Sequence, residues 1–300
     1  MLSRALLLIG LVALLAACSG AASSTASPGG SGSPAPRSSQ PSEEPATGEI
    51  DHATGVEDVI LRLDEGGGLM IRGATETMVP PFTLYGDGTV IFRNPMLEPP
   101  PPAGPVFLKN PMRTAKLDEA QIQDLLTFAI TEGGLGAARA QYDNPMVADA
   151  GMSVFTINAG GVEKTVNVYA LGLNDGGVPD LPARLQFQKL AERLTNFDEN
   201  GTFATDVYVP AAYRGVLLDT EGFPGEAPIE WPWDDITPAD FKGDVANGEL
   251  PRRVMTPEEL EVLGIDGIEG GFEGLTIVDP EVPGKSYSFW ARPLLPGEDA

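Results

Sequence analysis

Pro81-Phe-Thr-Leu-Tyr-Gly-Asp-Gly-Thr-Val-Ile-Phe92 reads as two short strands around a turn. Aromatic and β-branched residues flank Asp87-Gly88, a dipeptide suited to the positive φ angles of a tight hairpin. Side chains alternate across a strand, so Phe82 and Leu84 are expected on one face. An apolar sheet face needs a second layer against it, and the neighbouring sequence supplies one.

Upstream, Val56-Glu-Asp-Val-Ile-Leu-Arg-Leu63 is rich in strand-forming residues, and the reading ends the strand at Asp64-Glu65 and the Gly66-Gly67-Gly68 turn. The glycines lack the following Lys-Ser or Lys-Thr of a phosphate-binding loop. Downstream, Glu98-Pro-Pro-Pro-Pro102 predicts an extended polyproline segment. A helix then starts at Leu117-Asp-Glu-Ala-Gln-Ile122, with Asp118 as N-cap, Gln121 completing a capping box and Leu117 stapled to Ile122. Ile122, Leu125, Leu126 and Ala129 recur at helical spacing and give it one apolar face. A second hairpin is expected from Ser153–Ile157 and Lys164–Leu171 around Asn158-Ala-Gly-Gly161. A second helix opens at Asp180-Leu-Pro182, with Phe187, Leu190, Ala191 and Leu194 as its stripe.

Past residue 200, Tyr213-Arg-Gly-Val-Leu-Leu218 reads as a strand. Thr237-Pro-Ala-Asp240 and Thr256-Pro-Glu-Glu259 read as capped starts of short helices. Gly274–Val278 and Lys285–Arg292 form a closing hairpin. The expected class is α+β, with antiparallel hairpins packed against a few helices in one or two modules, divided as 50–200 and a smaller domain or extension at 201–300.

The earliest residues carry an address. Arg4, an apolar run from Ala5 to Leu15 and then small residues have the order of a secretory signal. Roughly sixteen residues at 1.5 Å each cover about 24 Å, short of a hydrocarbon layer about 30 Å thick. Leu15-Ala16-Ala17-Cys18 resembles a bacterial lipobox. The resemblance implies cleavage between Ala17 and Cys18, removing residues 1–17, with a diacylglyceryl group on the Cys18 sulfur. Paired acyl chains give durable anchoring where one does not. Residues 18–49 form a Ser/Pro/Gly tether whose composition cannot build a core.

Composition narrows the chemistry. Forty-three acids face nineteen bases and one histidine, His52, so nucleic acid is not an expected partner. With Cys18 lipidated, the parts for zinc sites, Cys-His dyads and Ser-His-Asp triads are missing. Asp266, Glu269 and Glu273 offer oxygen ligands of the kind calcium takes, without the spacing of an EF-hand, and solvated loops are the plainer reading. Trp231 and Trp233 flank Pro232 as candidates for stacking on a ligand, with a core role as the plainer reading. No cofactor is implied.

Phe82-Thr-Leu-Tyr-Gly-Asp-Gly-Thr-Val90, Leu117-Asp-Glu-Ala-Gln-Ile122, Tyr142, and Asp149-Ala150 leading into Ser153-Val-Phe-Thr-Ile157 together resemble a family of uncharacterised bacterial envelope domains often carried on lipoproteins. The resemblance covers about 56–172, and Arg292-Pro-Leu-Leu-Pro-Gly-Glu298 is similar to the ends of related lipoproteins. It implies a fold and an extracytoplasmic location without any catalytic residue. The expected function is therefore a non-catalytic, membrane-anchored binding or structural protein of the cell surface, with an unknown envelope or extracellular ligand. A carboxylate-dependent, glycan-directed hydrolase and a calcium-stabilised adhesion-type domain are the alternatives.

Overall fold

The computed structural model describes residues 48–70, 73–93, 106–174, 176–220, 227–244 and 248–299. The signal, the lipobox with Ala17 and Cys18, nearly all of the tether and the polyproline run lie outside them. The strands in chain order are β1 (Val59–Gly67), β2 (Phe82–Tyr85), β3 (Thr89–Phe92), β4 (Phe107–Leu108) and β5 (Arg113–Lys116). Helix α1 (Glu119–Ile130), β6 (Gln141–Tyr142), β7 (Gly151–Ala159), β8 (Val162–Tyr169) and α2 (Leu181–Thr195) follow. After them come β9 (Asp206–Val207), β10 (Tyr213–Asp219), β11 (Arg252–Met255), α3 (Pro257–Glu261), β12 (Phe272–Val278) and β13 (Ser286–Pro293). The class is α+β, and most of its pairing is antiparallel.

The first hairpin has Phe82 opposite Phe92 and Leu84 opposite Val90. Its turn differs from the expected two-residue form. Gly88 alone takes a positive φ, +85°, and its N–H donates to the Tyr85 carbonyl at 3.0 Å. Asp87 instead accepts from the Thr89 amide at 2.9 Å. A Cβ at Gly88 would lie 2.5 Å from the Leu117 carbonyl, so the turn and the start of α1 share the space. In the second hairpin Gly160 and Gly161, at +61° and +71°, make the whole loop, because Ala159 already pairs with Val162. The first strand runs longer than the sequence suggested, and the second has the expected length but lies two residues earlier.

One sheet has the order β6-β8-β7-β1-β2-β3-β5-β9. Leu61, Leu63, Phe82, Leu84, Val90, Phe92, Phe155 and Ile157 meet Ile122, Leu125, Leu126 and Ala129 of α1 and Phe187, Leu190 and Leu194 of α2 in one core. Burying each such side chain contributes roughly 1.5–3 kcal/mol. Asp118 caps α1 as expected, accepting from Gln121 at 2.9 Å while Gln121 accepts from the Asp118 amide at 2.9 Å. His52 reaches Glu119 at 3.2 Å and fastens the start of the described chain to this helix.

The second sheet has the order β11-β10-β13-β12-β4. Its core is aromatic, with Trp233, Phe241, Phe272 and Phe289 around Leu260 and Met255. Both short helices carry the Thr capping boxes read from sequence. The sheets exchange strands across residue 200. The early β4 edges the second sheet and the late β9 edges the first, and residues 45–300 make one compact unit.

The hairpin β2–β3 is buried on both faces. Opposite the helices, Tyr85, Ile91 and Met112 pack on Leu295 of the C-terminal segment. Arg292-Pro-Leu-Leu-Pro-Gly-Glu298 folds back over that face as a clasp. Tyr208 donates to the Leu294 carbonyl at 2.8 Å and Tyr85 to that of Pro296 at 3.2 Å. Glu298 takes Arg292 at 2.7 Å and also pairs with Arg62. Burial works to raise the Glu298 carboxyl, but Arg292 and Arg62 outweigh it and hold it below the ordinary glutamate value.

Candidate functional site

Strand β1 does not stop before its glycines. It runs on, with Gly66 opposite Met152 and Gly67 opposite Gly151. Glycines bring no side chains, so the space over the end of this strand is left for others to line. A Cβ at Gly66 would come only 4.0 Å from the Met78 sulfur. The chain after β1 is pinned nearby. Leu69 donates to the Asp149 carbonyl at 3.2 Å, and Gly73 sits against Leu218, where a Cβ would meet it at 2.6 Å.

Two adjoining cavities result. One, of about 270 Å³, is bordered by Met70, Met78, Val79, Pro81, Arg93 and Lys109, among others. The other, of about 330 Å³, is bordered by Met78, Met152, Ala170, Leu171 and Leu173. Glu65 and Met78 belong to both walls, so the two form a groove. Methionine is flexible and polarizable, and it suits a wall that must fit more than one shape. Leu173 in the second wall is 51% exposed, and Leu69, next to Met70 in the chain, is 90% exposed. Met146, 62% exposed, stands on the loop that Asn144 ties to the Leu173 carbonyl at 2.8 Å. Ala170, in the groove wall, and Asp149, beside it, hold left-handed backbone at φ 52° and 54°. Such strain tends to gather at functional sites.

The polar groups of the groove divide into satisfied and unsatisfied. Glu273 is taken by Lys109 at 2.7 Å and accepts from Thr77 at 3.4 Å. Glu65 is exposed at the rim. Arg93 directly follows β3 and donates its backbone amide to the Pro81 carbonyl at 2.9 Å. Its side-chain Nε is buried without a hydrogen bond, and among the described residues it has no ion-pair partner. Burial pushes this guanidinium below its ordinary value with no carboxylate opposing the shift.

A larger cavity of about 410 Å³ lies at the start of α1, between Leu117, Leu125, Phe197 and Phe203. Its polar groups already serve one another. Arg193 pairs with Asp124 at 2.6 Å, Asp118 and Gln121 form the capping box, and Phe197 stacks on Phe203 with centroids 4.7 Å apart. Size favours this cavity, whereas unsatisfied chemistry favours the groove.

Of the described residues singled out from sequence as site candidates, Glu273 alone lines the groove. Trp233 is buried and donates to the Glu259 carbonyl at 2.6 Å. Trp231 donates to that of Ile236 at 2.5 Å, and the two rings meet edge-on at 5.2 Å. Both belong to the second core, which corrects their candidacy as a stacking platform. Asp266, Glu269 and Glu273 are not gathered. Asp266 is exposed, Glu273 is committed to Lys109, and among the described residues no three His, Cys, Asp or Glu side chains are placed to hold a metal. Cys18 and Ala17 lie outside the described residues. Arg93, Met70, Met78 and Met152 were missed. Their only sequence signal is a scatter of methionines flanking a glycine run, which means little until the fold assembles it.

Comparison with protein-family models, with curated proteins and with solved structures found no match for the chain. No helix among the described residues is long and apolar enough to cross a membrane.

Proposed function

We propose that this chain is a lipoprotein, held through Cys18 at the extracytoplasmic face of a bacterial cell membrane, whose folded part binds a ligand without transforming it. Leu15-Ala16-Ala17-Cys18 and the core-free tether after it support the anchor. The observation that carries the binding half is the groove walled by Met70, Met78 and Met152, with Leu173 exposed in its second wall. Exposed apolar surface of this kind marks interaction sites. A hydrolase working with two carboxylates needs a pair of acids in one cavity with their proton affinities driven apart. Asp64, whose carboxyl burial raises, is instead locked to Arg62 at 3.0 Å. That favours binding over hydrolysis.

Two measurements test the halves separately. Intact mass and membrane fractionation of the native chain beside Cys18→Ala should give an acylated membrane form and an unacylated soluble form. Two soluble, unmodified forms would end the anchor reading. The neutral probe N-phenyl-1-naphthylamine should brighten on the Cys18→Ala chain and lose that signal with Met78→Glu. An unchanged signal would move the apolar site away from the groove.

A further inference from the structure

We propose that the groove takes a single-chain anionic amphiphile, with its carboxylate or phosphate head on Arg93 and its apolar tail along Met78 towards Met152. This deepens the binding reading and rests on it. Three observations converge. Arg93 is a half-buried arginine whose Nε is buried without a hydrogen bond and which has no carboxylate partner among the described residues, in a chain where acids outnumber bases 43 to 19. Several other partly buried arginines have a carboxylate, while Arg113, Arg184 and Arg214 donate to carbonyl or hydroxyl oxygens. Arg62 has Asp64 and Glu298, Arg253 has Glu259, and Arg292 has Glu298. A charge taken out of water without a partner is costly, so the position fits a group that is completed from outside.

The second observation is the neighbourhood. The two acids on the same wall do not fill the vacancy at Arg93, because Glu273 is held by Lys109 and Glu65 lies out at the rim. Arg93 and Lys109 therefore border the cavity together, and a guanidinium fork is matched to the two oxygens of a carboxylate or phosphate. The third is the shape. From Arg93 the groove continues past Met78 into the second cavity, whose wall is Met152, Leu171 and Leu173. An ion would use only the first cavity, and a neutral alkane would leave Arg93 uncompensated. A charged head on one unbranched chain uses both.

The test is calorimetric titration of the full chain carrying Cys18→Ala, which has no acyl groups of its own to compete. The probes are sodium octanoate, octyl phosphate, octan-1-ol and sodium acetate. Octanoate or octyl phosphate should bind at least about tenfold more tightly than octan-1-ol, with acetate weaker still, as a charge-assisted pair predicts. The tighter of the two anions names the source of the head, a fatty carboxylate or a phosphate headgroup. Arg93→Met should cost the anions about tenfold or more, leave octan-1-ol unchanged and raise the melting temperature by about 2–4 °C. Arg93→Lys should keep part of the anion preference. Equal affinity for octanoate and octan-1-ol, or octanoate binding that survives Arg93→Met, overturns the anionic head while leaving the binding reading intact. A lower melting temperature in Arg93→Met would make that arginine structural and also overturn it. If none of the four binds and the neutral probe is unaffected by Met78→Glu, the binding reading falls with it.

Discussion

At the C-terminal clasp, Arg62 and Arg292 share the carboxylate of Glu298. At the groove, Arg93 has none among the described residues. Both arrangements withdraw arginine from water in one strongly acidic chain, so a shortage of acids does not explain the difference. The clasp finds its carboxylate within the chain, although Arg62 and Arg292 also keep a buried Nε without a hydrogen bond, and its charges fasten a tail across the back of β2 and β3. At the groove no described carboxylate answers Arg93, which is what the proposed anionic head would do. On the reading proposed above, the paired charge of the clasp belongs to architecture and the charge of Arg93 to recognition.

The comparison breaks first, and by the largest amount, at Glu298. Glu298→Ala strands two arginines under the tail and should cost about 3 kcal/mol in urea unfolding, the low end for removing one partner of a buried pair because Arg62 keeps Asp64. A loss below about 1 kcal/mol would mean that the clasp is only a surface pairing. Acid sharpens the same point. Because the folded Glu298 carboxyl is held below its ordinary value, its contribution is fully present above the unfolded value near 4.5 and is lost as pH falls through the folded value. Asp64, raised mainly by burial against the pull of Arg62, works in the opposite sense. The stability gap between the native chain and Glu298→Gln should therefore shrink below about pH 4.5. A constant gap would contradict the assignment.

Arg93 should respond in the other direction. Arg93→Met removes a charge that no described carboxylate repays and should stabilise by roughly 1 kcal/mol, read as the rise in melting temperature given above. The smallest effect belongs to Asp124. Its pairing with Arg193 beside the larger cavity is solvent-exposed, and Asp124→Ala should change stability by about 1 kcal/mol at most. If Asp124→Ala weakened probe binding where Met78→Glu did not, that cavity and not the groove would be the site.

The local grammar was readable wherever one short segment carried its own physical reason. Asp118 and Gln121 satisfy each other's backbone amides within a single turn of chain, so α1 began where the capping box said. Thr237 and Thr256 did the same for their short helices. Phe82, Leu84 and the α1 stripe faced one core because periods of two and 3.6 follow from backbone geometry. The readings that missed all needed a distant partner. Gly66 and Gly67 looked like a turn because glycine punctuates chains, yet Met152 and Gly151 supplied the pairing that kept them in β1. For Trp231 and Trp233 the core was the plainer reading, and the carbonyls of Ile236 and Glu259 that accept their N–H groups decide for it over stacking.

The amino-acid sequence by itself determined the α+β class, the hairpins, the caps and the apolar faces of the helices, since each depends on residues within a few positions of one another. Tertiary structure alone decided that β4 and β9 would cross between sheets, that Arg292–Glu298 would close the back of the central hairpin, and that Met78 would border both the cavity of Met70 and Arg93 and that of Met152. Those outcomes rest on contacts between residues far apart in the chain. Their free energy depends on which groups are left without a partner once every element has packed, and no local pattern records that.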